Sequence, residues 1–145
     1  GNGVVLADAQ FEQPEIHEHF GKDQGPGLAE ALQDGSSTAA PVLQPVSRGI
    51  SLLPAGHDEN LKLDLLASAK LRGIFENLTG AGNWVIVAGS GPGRGGWAAS
   101  IAPLVDTTIL AATHGESLRG EAVAARASLD GVGANILGIV MVNPC

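Results

Sequence analysis

Two short segments of this 145-residue chain carry side chains that could do chemistry. The first is Asp8-Ala9-Gln10-Phe11-Glu12-Gln13-Pro14, directly after the apolar run Val4–Ala7. A carboxylate at the end of a buried strand can hold Mg²⁺ through water. The same carboxylate can instead cap a turn or the next helix. The second segment is Gly89-Ser90-Gly91-Pro92-Gly93-Arg94-Gly95-Gly96, after Trp84–Ala88. Gly91, Gly93 and Gly96 fit G-x-G-x-x-G, and an apolar helix is expected from Trp97. Such glycines let the backbone approach a pyrophosphate at a helix N-terminus. Glu116, after the next strand, stands where a ribose-binding acid belongs. A flexible loop with five glycines in eight residues meets the same spacing with no ligand at all.

Other residues offer less. His17 and His19 flank Glu18, but two residues apart on a helix they point in different directions, which suits a solvated face. His114 and Glu116 could form an acid/base pair. No nucleophile–base–orienter set accompanies them. Asn143-Pro144 closes the last strand, and its amide could read a base edge or merely finish a turn.

Strands and helices must position these groups. Val4–Ala7, Ile50–Leu53, Trp84–Ala88, Thr107–Ala112 and Ile136–Val142 are short apolar runs without alternation. Strands of a parallel sheet covered on both faces have that pattern. Helical patterns lie between them at Pro14–Phe20, Leu28–Gln33, Leu61–Leu78 and Ser117–Asp130. The last places Leu118, Ala122, Ala125 and Leu129 on one stripe. Asp34–Arg48 is rich in Ser, Thr, Pro and Gln and reads as a surface loop. Alternating strands and helices predict an α/β fold with right-handed crossovers, a three-layer sandwich around a five-stranded parallel sheet. Ligands bind such folds beyond the C-terminal strand ends, where Asp8 and Gly89 lie.

Composition narrows the options. The net charge is −7, from 15 acidic and 8 basic residues, with no Lys/Arg cluster. A nucleic-acid groove is not expected. The one Cys makes no internal disulfide, and no zinc-ligand spacing occurs. No apolar run reaches about 18 residues, the length that spans a bilayer. The hydrophobic fraction of 44% suits a folded core, built from Ala, Val, Leu and Ile because aromatics are only 3%. The expectation is one cytoplasmic domain over residues 1–145, part of a longer polypeptide.

Taken in order, the segments resemble the cytoplasmic kinase domain of bacterial tyrosine kinases in capsule and exopolysaccharide synthesis. These belong to the MinD/ParA-like branch of P-loop ATPases. The family's D-A-D-L-R-R-P is similar to Asp8–Pro14, and its L-H-x-x-F-G to Ile16-His17-Glu18-His19-Phe20-Gly21. Its G-L-S-D-V-L-x-G resembles Gly27–Gly35, one residue longer here. L-P-A-G stands as Leu53-Pro54-Ala55-Gly56, and E-L-L-x-S resembles Asp64–Ser68. The Walker B segment Y-D-W-V-I-I-D-S-P-P resembles Asn83–Ser90, and the terminal L-G-V-V-L-N resembles Leu137–Asn143. The likeness runs through nearly the whole chain.

The departures fall on the chemistry. No G-x-x-x-x-G-K-[ST] occurs in these residues, and in the family that strand, loop and helix come earlier. Of the D-x-D pair, Asp8 stands and Gln10 replaces the second acid. Glu12 replaces the Arg that follows, and Ala88 replaces the Walker B Asp. The resemblance therefore implies a degenerate, catalytically silent relative in polysaccharide synthesis, without a metal site and binding ATP/Mg at most weakly. Asp8 and Asn143 are the positions left to touch a nucleotide. Implied partners are a second copy or a membrane polysaccharide co-polymerase, at the inner face of the membrane. Two alternatives stay open: an active ATPase or kinase whose P-loop lies upstream, and a dinucleotide-binding Rossmann-like domain.

The absent P-loop strand leaves a gap in the sheet. Direct pairing of Trp84–Ala88 with Thr107–Ala112 would close it within one chain. Numbering the five runs along the chain, the expected order is 2-1-3-4-5, all parallel. A second copy, or the missing strand, could fill the slot instead.

Overall fold

Val4–Ala9 (β1) is the strand on which the first sheet is built. Its β-branched start suits a pleat, and Val5, Ala7 and Ala9 turn one face into the core. The computed structural model describes residues 3–34, 42–57, 61, 69–91, 97–114 and 119–143. Along the chain β1 is followed by α1 (Ile16–His19), α2 (Leu28–Gln33), β2 (Gln44–Ser47), β3 (Ile50–Leu53), α3 (Ala69–Gly80) and β4 (Trp84–Gly89). Then come α4 (Trp97–Ile101), a 3-10 turn (Ala102–Leu104), β5 (Thr108–Thr113), α5 (Arg119–Gly131) and β6 (Ile136–Val142). The chain divides into two compact units, Gly1–Gly89 and Ser90–Cys145.

The first unit holds a four-stranded sheet in the order β2-β3-β1-β4. β1 pairs in parallel with β3 on one side and with β4 on the other. α2 buries Leu28, Ala29 and Leu32, and α3 buries Leu71, Ile74, Phe75 and Leu78. The spacing in α3 is the one-sided stripe of an amphipathic helix. Each such side chain contributes about 1.5–3 kcal/mol on burial. α3 ends where the Asn83 amide donates to the Leu78 carbonyl at 2.9 Å, next to Gly82 at φ +84°.

The second unit contains the parallel pair β5–β6. α5 lies against β6 and buries Ala125 and Leu129. Ala122 is half-buried, and Leu118 lies outside the described residues. α4 buries Trp97 and Ile101.

Three of the four expected strand neighbours are present: β3–β1, β1–β4 and β5–β6. The fourth is not. β4 and β5 belong to separate sheets, so the single five-stranded sheet of order 2-1-3-4-5 gives way to a four-stranded and a two-stranded one. Water can satisfy the backbone groups of an open edge, so unpaired edges alone do not force two strands together.

The all-parallel expectation also fails. Gln44–Ser47, inside the segment read as a loop, is an edge strand antiparallel to β3. Pro45 and the polar residues hid it. Pro is compatible with an edge, where one side needs no ladder donor. Gly49 turns the chain between the two strands at φ +79°, and its carbonyl accepts from the Val4 N–H at 2.7 Å. Helix α1 is shorter than Pro14–Phe20. Of Leu61–Leu78, residues 62–68 lie outside the described residues.

One carboxylate ties together the loops beyond the C-terminal ends of β1 and β3. Glu30, in the first turn of α2, accepts the Gly27 N–H at 2.7 Å and the His57 N–H at 2.9 Å. The first bond is half of a capping box. Leu28 and Ala29 donate to Pro54 and Ala55, and Gly56 donates to Gln24. Gly56 sits at φ +93°, and a Cβ there would run into the Glu30 carboxylate. Burial pulls the Glu30 carboxyl up, but the Gly27 and His57 donors, with its own backbone N–H and the nearby His57 imidazole, together outweigh it, leaving the pKa below the ordinary 4.5.

A depressed acid pKa stabilises the fold above the unfolded value and loses that contribution as pH falls through the folded one. The Glu30→Gln variant is therefore expected to lose about 1–2 kcal/mol at pH 7 in urea unfolding. The gap from the parent should narrow below about pH 4.5. A gap that is flat with pH would show that the charge adds nothing to the latch.

Candidate functional site

Register places Asp8 directly opposite Ala88 on the neighbouring strand. Paired residues of parallel strands project to the same face, so Asp8 and Ala88 share a face with Leu6 and Ile86. Asp8 is the one charged residue among those that are buried and described, at 0% exposure. Its Oδ1 accepts the Gln10 N–H at 2.9 Å, closing a local Asx-type turn. Its Oδ2 has no hydrogen-bond partner.

The surroundings of Asp8 shift its titration upward. Burial pushes the carboxyl above its ordinary value. The backbone N–H groups of Gln10 and Ile16 and the His17 imidazole oppose this, and the nearby Glu15 adds to it. The rise wins. Of the two structural roles open to a strand-end acid, the turn is the one made: Oδ1 accepts from Gln10, and no side-chain cap bond marks the start of α1.

The remaining candidates scatter. Gln10 is half-buried and Glu12 is exposed. His17 departs from the solvated face expected of it: its Nδ1 is buried without a hydrogen bond, whereas Glu18 and His19 are exposed. Among the glycines of the second loop, Gly91 is described and has open space around it, while Gly93 and Gly96 lie outside the described residues. Glu116 also lies outside them. His114 is exposed after β5, its N–H donating to the Val142 carbonyl at 2.9 Å. Asn143 follows β6 and is exposed. Asp8, Gln10, Glu12 and Ala88 belong to the first unit, Asn143 and Gly91 to the second.

The Glu30 latch was not among the residues singled out from the sequence. Half of it was legible, because Gly27 and Glu30 have capping-box spacing. The other half, the His57 N–H, lies 27 residues further along and carries no local signal.

Mg²⁺ requires several oxygen ligands in near-octahedral geometry. Asp8 offers one free oxygen, on a carboxyl whose burial favours protonation. Ala88 offers a methyl group where a second carboxylate would be useful. The described residues around Asp8 do not fit a Mg²⁺ site by themselves.

An acid with a raised folded pKa costs stability when ionised and returns it as pH falls through that value. Asp8→Asn keeps an oxygen for the Gln10 N–H and removes the buried charge. At pH 7 the variant should match or exceed the parent, by up to about 1 kcal/mol, the scale of a weakly compensated buried group. The advantage should vanish near pH 3. A loss of more than about 2 kcal/mol at pH 7, typical of a broken buried pair, would mean the ionised form is well paired.

No protein-family model matches the chain. The putative tyrosine-protein kinase EpsB of Ralstonia solanacearum is 26% identical over 115 residues, 79% of this chain. The chain spans only 14% of EpsB's length. The kinase domain of the Escherichia coli tyrosine kinase ETK superposes with a TM-score of 0.88 at 24% identity, over 97% of this chain and 55% of that domain. The BceF tyrosine kinase domain gives a TM-score of 0.82 at 26% identity, over 99% of this chain and 57% of that one. A ParA family ATPase from Chlorobium tepidum shares the fold at a TM-score of 0.69 and 12% identity, over 98% of this chain and 60% of its own. By its similarity in sequence to EpsB and in sequence and fold to the BceF domain, the chain is a homologue of bacterial tyrosine kinase domains, on the fold that ParA-type ATPases share.

Proposed function

We propose that the chain is a catalytically silent, tyrosine-kinase-like module with a regulatory or scaffolding role in bacterial exopolysaccharide or capsule synthesis. The observation that carries this reading is the pair Asp8–Ala88. Phosphoryl transfer depends on positioned charge and a metal clamp rather than on covalent chemistry by the protein. Here the acid end of β1 faces a methyl group, and Gln10 supplies no second charge. Asp8 itself is held in a turn, and burial raises its pKa.

The biological setting is carried over from the relatives, whose kinase domains are the parts this chain resembles. A silent module of this kind acts through surfaces. Its partner would be a membrane polysaccharide co-polymerase, met on the cytoplasmic side. Among the described residues no helix is long and apolar enough to cross a membrane, so such a partner would supply the membrane segment.

One observation favours a second reading. Among the described residues no strand pairs with the outer edge of β4. A phosphate-binding strand and loop from polypeptide beyond these 145 residues would pair there and build an active ATPase or kinase. Even then Gln10 and Ala88 would leave the metal short of ligands.

Calorimetric titration separates the readings. Mg-ATP should bind this chain no more tightly than about 1 mM, which is about −4 kcal/mol. Micromolar affinity would overturn the silent module. A longer polypeptide that binds and hydrolyses ATP, when this chain does not, would establish the second reading.

A further inference from the structure

Among the described residues of the first unit, two buried side-chain atoms lack a hydrogen-bond partner: Asp8 Oδ2 and His17 Nδ1. They belong to one neighbourhood, because the His17 imidazole is close enough to act on the Asp8 carboxyl. Asp8 is fully buried, so bulk water does not reach its free oxygen. Its other neighbours do not serve that oxygen. The Gln10 N–H is taken by Oδ1, Ala88 presents a methyl group, and Glu15 carries charge of the same sign. A buried polar atom left unpaired costs its full desolvation, and here two such atoms would add their costs.

His17 stands on a piece of chain that cannot hold itself in place. Helix α1 has four residues and buries none of them. A helix that short is not stable by its own hydrogen bonds. The backbone bonds of the segment close on the segment itself: Glu18 donates to Glu15, Gly21 to Glu18, and Phe20 and Lys22 both to the His17 carbonyl. The His17 backbone thus gathers the end of the segment, while its Nδ1 is withdrawn from solvent.

We propose that one buried water joins His17 Nδ1–H to Asp8 Oδ2, and that this bridge straps residues 10–22 over the end of β1. The two atoms do not bond each other directly. Buried waters settle where polar atoms lack partners, about one for every 27 residues. A water accepts the Nδ1 proton in a hydrogen bond and donates one of its own to the carboxyl oxygen, so both atoms are satisfied together. The strap is an autoinhibitory contact on the strand-end acid: a ligand reaches the Asp8 carboxyl only after the His17 ring has left. It operates whether the module is silent or active, and its test needs no nucleotide.

Carbodiimide coupling of glycinamide to the full chain, read by peptide mass spectrometry, reports access to each carboxyl. Asp8 should react at least about tenfold more slowly than the exposed Glu12 and Glu18. His17→Phe keeps a ring and removes both nitrogens. It should speed the Asp8 reaction at least about tenfold and raise amide hydrogen exchange across residues 10–22, but not in α3. His17→Asn supplies an amide N–H in place of Nδ1–H and should hold the Asp8 rate within about twofold of the parent. An unchanged Asp8 rate in His17→Phe, or a His17→Asn variant as open as His17→Phe, would overturn the bridge. NMR of the parent gives a readout that stands even if His17→Phe fails to fold. The His17 Nδ1–H signal should be visible near neutral pH, with a cross-peak to a bound water. A ring proton lost to rapid exchange with solvent would equally overturn the proposal.

Discussion

The double pairing of β1 is the constraint on which the first unit depends. β3 and β4 both hydrogen-bond to it in parallel, so neither register can slip without turning core residues outward. Val5, Ala7 and Ala9 are buried because that register holds. The same register delivers Asp8 to the sheet end and Ala88 to its side. The chemistry available at the site is thus a consequence of strand pairing, fixed before any loop is placed.

A buried acid and a half-buried latch then share the same end of the sheet with opposite electrostatics. Glu30 receives two backbone donors and is held ionised. Asp8 receives one well-formed donor, keeps a spare oxygen and is pushed toward neutrality. The donors and the nearby His57 outweigh burial at the half-buried Glu30, and at the fully buried Asp8 burial outweighs them. The first carboxylate is architecture: it holds the Gly56 loop against α2. The second ends a buried strand opposite the Ala88 methyl group, with one oxygen left unbonded.

Uncovered apolar strand is the other consequence of this arrangement. β4 ends its sheet with Trp84 and Ile86 exposed. β6 exposes Leu137, Ile139, Val140, Met141 and Val142. Strands of parallel sheets are normally covered on both faces, so these runs look as they would if written for a deeper interior. The chain spans 55% of the ETK kinase domain it superposes on, and those homologous domains have more protein with which to cover their strands.

Local signals in the sequence were sufficient to place most elements. Continuous apolar runs located five strands, with Ile50–Leu53 and Ile136–Val142 at their observed limits, because burial on two faces demands unbroken hydrophobicity. The 3.6-residue stripe located α3 and α5, and the ordered string of motifs led to the kinase homology. The strand at Gln44–Ser47 was hidden, since an edge strand with Pro45 is held by its neighbour rather than by its own composition. The inward turn of His17 and the Glu30–His57 bond were hidden for a related reason. Both depend on what folding brings beside them, and no spacing rule reaches across 27 residues. The sequence singled out Asp8, with Asn143, as a retained position and Ala88, with Gln10 and Glu12, as a departure. Only the tertiary structure could set Asp8 and Ala88 side by side and raise the pKa of the acid, because burial and donor geometry exist only once the strands have paired.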